Sequence, residues 1–162
     1  MLLGATPLLP ATHVPAPMLA VAAPTDVQAP LQMPPPSAET VVRNMGVFGE
    51  AETIVNYPDQ IDALVAAGHD RLASSVSLAE LRSLISPTGW QPQLVVSPDE
   101  LGALKVPTML IWGDRDPLGG ANAARTTATT IPGARLEPLP SGHAPWLGHP
   151  DQTADLVNDF VR

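Results

Sequence analysis

Two short segments hold the side chains whose types and spacing could do chemistry. Trp112-Gly113-Asp114-Arg115-Asp116-Pro117 offers two carboxylates, and Ser141-Gly142-His143-Ala144-Pro145-Trp146-Leu147 offers an imidazole. A carboxylate bonded to one ring nitrogen fixes the imidazole's tautomer and stabilises its charged form. The opposite nitrogen is then free to take a proton from a nucleophile or a water. The sequence has no cysteine, which excludes thiolate nucleophiles, disulfides and cysteine-zinc sites. No two of its histidines stand four apart with a third ligand close by, so no metal site is expected.

Plainer roles are open to the same residues. Asp116, followed by Pro117, could close a turn before a helix. His143 could be a structural loop histidine. Trp146 reads first as a packing residue and second as a lining of a pocket mouth. His13 and His69 read as surface residues, and His149-Pro150 as a helix start.

The elements around the two segments decide whether they can meet. Thr108 to Trp112 is continuously apolar or β-branched, as in a strand buried on both faces of a parallel sheet. A helix is expected over 119–130, stopped by Ile131-Pro132-Gly133. A strand follows over 134–139, then a terminal helix over 150–162 with Ala154, Val157, Phe160 and Val161 inward. Both chemical segments therefore fall at the C-terminal ends of neighbouring strands, the edge where open α/β sheets place their sites.

Upstream, Met1 to Ala5 reads as the end of a buried strand. A proline-rich stretch follows, with nine of the chain's prolines in its first 36 residues, and reads as extended or loop-like. Ser37 can cap a helix to about Met45. A second helix starts at Pro58-Asp59, with Ile61, Leu64, Val65 and Leu72 on one face. A third is expected from a capping box at Ser77 and Glu80, with Leu78, Leu81, Leu84 and Ile85 inward. Ser97-Pro98-Asp99-Glu100 is another capping box, opening a helix that ends near Leu104.

Composition excludes several functions. The chain has 162 residues, 44% of them hydrophobic and only 15% charged, which suits a folded, buried chain rather than a disordered one. A net charge of −8 repels phosphate backbones, so nucleic-acid binding is not expected. No stretch reaches the roughly 18 apolar residues of a membrane span. The apolar opening lacks a preceding Lys or Arg and is broken by prolines 7, 10, 15 and 17, so it is not read as a signal peptide. A cytoplasmic protein is expected.

Leu110-Ile111-Trp112-Gly113-Asp114-Arg115-Asp116-Pro117 resembles the late acid loop of α/β-hydrolases. Gly142-His143-Ala144-Pro145-Trp146-Leu147 is similar to that family's histidine loop. The resemblance covers Val106 to Arg162 most strongly. It implies that Asp116 is the triad acid, that His143 is the triad base and that Asp114 is a turn residue. Acid precedes histidine, in the family's order. The implied fold is α/β: the last three strands of a mostly parallel sheet, with residues 1–30 and 101–162 as partial core and 31–100 as a helical cap inserted between them. Trp146 is a weaker candidate for substrate contact.

The resemblance implies hydrolysis of a small, apolar, ester-like substrate with no cofactor. One part of the family pattern is missing. The nucleophile belongs in Gly-x-Ser-x-Gly, and none of the serines at 37, 74, 75, 77, 83, 86, 97 and 141 is flanked that way. The chain is therefore expected to be the C-terminal part of a hydrolase, inactive alone. Alternatively it is one half of a split enzyme whose other chain supplies the nucleophile, or a binding module without catalysis.

Overall fold

The computed structural model describes residues 2–4, 7–22 and 36–162. The end of the expected first strand at Ala5, and residues 31–35 of the expected helical insertion, lie outside the described residues. Three strands form a parallel sheet in the order β1, β4, β5: β1 is Leu2–Leu3, β4 is Met109–Gly113 and β5 is Arg135–Leu139. The fold is α/β, with few parallel strands and many helices.

β4 is the centre, and its alternating side chains explain why both faces are covered. Met109, Leu110, Ile111 and Trp112 are fully buried. Leu110 and Trp112 join a core with Leu118, Ala123, Ala124 and Ile131, brought by helix α7 (Gly120–Thr130) and its flanks. Met109 and Ile111 point the other way, into a cluster with Leu139, Leu156, Val157 and Phe160 from helix α9 (Pro150–Phe160). Each such side chain, fully buried, contributes about 1.5–3 kcal/mol.

Between β1 and β4 the described residues are mostly helical: α1 (Ala16–Ala22), α2 (Ala38–Gly46), α3 (Ala51–Ile54), α4 (Pro58–Gly68), α5 (Arg71–Leu84) and α6 (Pro98–Gly102). A small antiparallel hairpin of β2 (Ile85–Ser86) and β3 (Gly89–Trp90) interrupts them. Both strong cap signals are realised. The Ser37 side chain accepts from the Thr40 N–H, and Ser97 and Glu100 form the full capping box.

Four local expectations are corrected. The proline-rich opening is not wholly extended: α1 forms there because Pro17 sits in its first turn, where a missing N–H costs nothing. α5 starts at Arg71, with the Asp70 carbonyl accepting from the Ser74 N–H, so Ser77 lies inside the helix and caps nothing. Leu64 is exposed, and Leu72 falls on α5 rather than α4. On α9 the buried stripe is Thr153, Leu156, Val157 and Phe160, at helical spacing, while Ala154 and Val161 face out.

Candidate active site

The acid and histidine loops are stitched together across the ends of β4 and β5. The Asp114 N–H donates to the Leu139 carbonyl at 2.9 Å, and the Arg115 N–H to Ser141 at 3.1 Å. Gly113 and Gly142 meet backbone to backbone, and a Cβ on Gly113 would overlap the Gly142 carbonyl. Sheet register thus brings together two residues 27 positions apart.

Asp116 is buried, its side chain fully so. Its carbonyl accepts from the Gly119 and Gly120 amides at 3.0 and 2.7 Å, closing the turn into α7. Its carboxylate divides its two oxygens. Oδ1 accepts from the Leu118 N–H at 2.8 Å, and Oδ2 stands 3.0 Å from His143 Nδ1. Asp116 is therefore both the turn residue and the histidine's partner. A carboxylate can only accept, so Nδ1 carries the proton and Nε2, on the far edge of the ring, has a free lone pair.

His143 is held from three sides. Its N–H donates to the Phe48 carbonyl at 2.9 Å. The Phe48 ring packs on its imidazole, with centroids 5.4 Å apart and planes tilted by 33°. Gly4, just past β1 with φ of +75°, passes so close that a Cβ would strike the His143 carbonyl. The imidazole keeps 25% of its surface exposed. An imidazole anchored at one nitrogen and partly exposed has the geometry that general-base chemistry requires.

Of the other candidates, Asp114 is exposed and pairs with Arg115 at 3.6 Å, as a turn residue would. Trp146 lies on the short helix α8 (Pro145–Gly148), 44% exposed, three positions beyond His143. His13 and His69 are exposed, and His149 immediately precedes α9. Among the described residues no group of three metal-ligating side chains comes together. A hollow of about 460 Å³ lies behind the histidine loop, lined by Glu52, Thr53, Asn56, Arg115 and Gly142, but His143 does not face it.

Sequence reasoning missed Gly4, Phe48 and Glu50, all of which pack on the histidine loop. Glu50 is fully buried, and its Oε1 accepts from the Ala144 N–H at 2.8 Å. No periodicity or motif marked it, because its partner lies 94 positions away.

No family model matches the chain. It is 39% identical over 80 residues to a pimeloyl-[acyl-carrier protein] methyl ester esterase of Aromatoleum aromaticum, a match covering 49% of this chain and 29% of that protein. It is 32% identical over 122 residues to an esterase of the same description from Xanthomonas campestris pv. campestris, covering 65% and 47%. Among solved structures, a thermophilic esterase from Thermogutta terrifontis superposes with a TM-score of 0.60 at 20% identity, over 90% of this chain and 48% of that one. The chain thus spans less than half of the length of these three proteins. By its sheet, its helices and these likenesses, the chain has part of the α/β-hydrolase fold.

Proposed function

We propose that the chain carries the acid and the general base of an ester hydrolase whose nucleophile lies outside these 162 residues. The observation that carries this reading is the 3.0 Å contact between buried Asp116 Oδ2 and His143 Nδ1. It is supported by the esterase descriptions of the relatives, which bring a small ester-like substrate to this chain by analogy.

In that reading His143 Nε2 takes the proton of a serine hydroxyl as the oxygen attacks the ester carbonyl. The resulting imidazolium is stabilised by Asp116, which stays ionised. His143 then gives the proton to the departing alcohol. In the second half it takes a proton from water, whose oxygen attacks the acyl-enzyme, and returns it to the serine. No step calls for a cofactor. Residues 31–100 would be the cap over the pocket, and the Trp146 indole would contact the substrate's apolar part. The nucleophile would come from a preceding segment or from a second chain docked beside β1.

The test is hydrolysis of p-nitrophenyl acetate. The 162-residue chain alone is expected to give neither burst nor serine-type turnover. A burst abolished by His143→Ala would place a nucleophile inside the chain and overturn this part of the reading. Unchanged affinity for an apolar ester analogue in the Asp116→Ala, His143→Ala double variant would favour a binding module instead.

A further inference from the structure

The segment Phe48-Gly49-Glu50, between α2 and α3, grips the histidine loop over three consecutive residues. The Phe48 carbonyl accepts from the His143 N–H, and Glu50 Oε1 accepts from the Ala144 N–H. Between them Gly49, at φ of +74°, lies flat against Gly142: a Cβ on Gly49 would stand 3.3 Å from the Gly142 Cα. A Cβ on Gly142 would fall 2.6 to 2.8 Å from the Phe48 and Gly49 carbonyls and Glu50 Oε1. The bonds to Phe48 and Glu50 involve the amides of His143 and of the residue after it. They set the path of the backbone that aims the imidazole.

Glu50 is an unusual choice for that task. Its residue surface is fully buried, and its second oxygen, Oε2, has no hydrogen-bond partner among the described residues. A buried polar atom left unpaired costs about 1–3 kcal/mol. A side chain kept in place against that cost needs a compensating role. Apolar packing cannot supply it, because Leu or Met would fill the same space without the penalty.

We propose that Glu50 is a positioning residue for His143. Its carboxylate fixes the Ala144 amide and so holds the imidazole in line with Asp116. This rests on the acid–histidine reading above, and it ties the helical segment to the proposed base through one side chain. Glu50 touches neither Asp116 nor the reacting nitrogen in this account; it acts through the loop backbone.

The test is proton NMR of the native protein and its variants. An imidazole N–H bonded to a carboxylate resonates at low field, and His143→Ala and Asp116→Asn identify that signal by removing it. Glu50→Gln keeps an oxygen for the Ala144 amide and should preserve the signal. Glu50→Leu keeps the volume but not the acceptor. It should lose or displace the signal and speed Ala144 amide exchange at least about tenfold, with far-ultraviolet circular dichroism unchanged.

If Glu50→Leu fails to fold, Glu50→Asp takes its place. It retains the carboxyl group but withdraws the acceptor by one methylene, and must weaken the signal where Gln does not. An unchanged signal in the folded Leu variant, or in the Asp variant where Leu does not fold, would overturn the positioning role while leaving the acid–histidine pair standing. Equal loss in Gln and Leu would also overturn it, since the acceptor would then not be what matters. No low-field signal in the unsubstituted chain would overturn both readings.

Discussion

The two oxygens of Asp116 have separate partners, the Leu118 amide and the His143 ring, and this division fixes what substitutions there should do. Asp116→Asn retains the shape but not the charge, and presents either a donor or a weaker acceptor to Nδ1. If a nucleophile completes the site as proposed, kcat is expected to fall by roughly 10⁴, with KM little changed. A loss below about tenfold, measured in steady-state kinetics, would mean that Asp116 serves the turn alone. Trp146→Ala is expected to do the reverse, raising KM several-fold with kcat retained, because in the proposed reading an exposed indole three positions beyond His143 aids binding rather than proton transfer. At this scale the meeting of Asp116 with His143 was legible in the sequence because both sit in compact motifs at strand ends. Glu50 was hidden: its role depends on burial and on a partner distant in sequence.

Among the elements, α6 shows how much a local signal can decide. Ser97 and Glu100 cap each other's backbone amides, and Leu101 anchors the short helix in the core. Ser97→Ala should lower unfolding stability by about 1 kcal/mol, read from urea denaturation. The backbone N–H of Ser97, and then its hydroxyl, hold the Glu100 carboxyl below its ordinary value of 4.5. A carboxyl lowered on folding adds stability above that value and loses it as pH falls through the lower, folded value. The difference between the unsubstituted chain and Glu100→Gln should therefore shrink on acidification below about pH 4.5, and a difference independent of pH would contradict the box. Signals of the same kind misled elsewhere. Ser77 and Glu80 have capping-box spacing, but α5 is already under way when it reaches them. The proline count hid α1, because the position of a proline within a helix matters more than its presence. On α9 the terminal helix was legible, but its inward stripe was shifted, since only the sheet face it meets selects among similar stripes.

In the molecule as a whole, β4 is the hub between two cores, and a third cluster joins the helical segment to the site. That cluster packs Val41, Ile54 and Ile61 against Ala144 and Leu147, and the Tyr57 hydroxyl adds a bond to the Leu147 carbonyl at 2.6 Å. Ile111→Ala at the hub should cost about 2–5 kcal/mol in urea denaturation; a cost under 1 kcal/mol would mean that α9 is loosely docked. β1 pairs only with β4 among the described strands, leaving its other edge without a strand neighbour in this sheet. Such an edge invites further strand pairing. The isolated chain is expected to self-associate in gel filtration, and a monodisperse monomer would contradict that. The α/β class and the strand order along the chain were legible from hydrophobic runs and turn residues. Which strands neighbour which, and which helices bear on the site, depended on long-range packing that no single window contains.

The central claim is that Asp116 and His143 serve a nucleophile located outside these 162 residues. Its most direct test is to treat the native protein, isolated from its source, with a fluorophosphonate and to map the modified peptide by mass spectrometry. A single labelled serine is expected within a Gly-x-Ser-x-Gly sequence that is not among residues 1–162, labelled at least about 100-fold more slowly in His143→Ala. No label, a label on one of this chain's own serines, or a rate indifferent to His143 would contradict it.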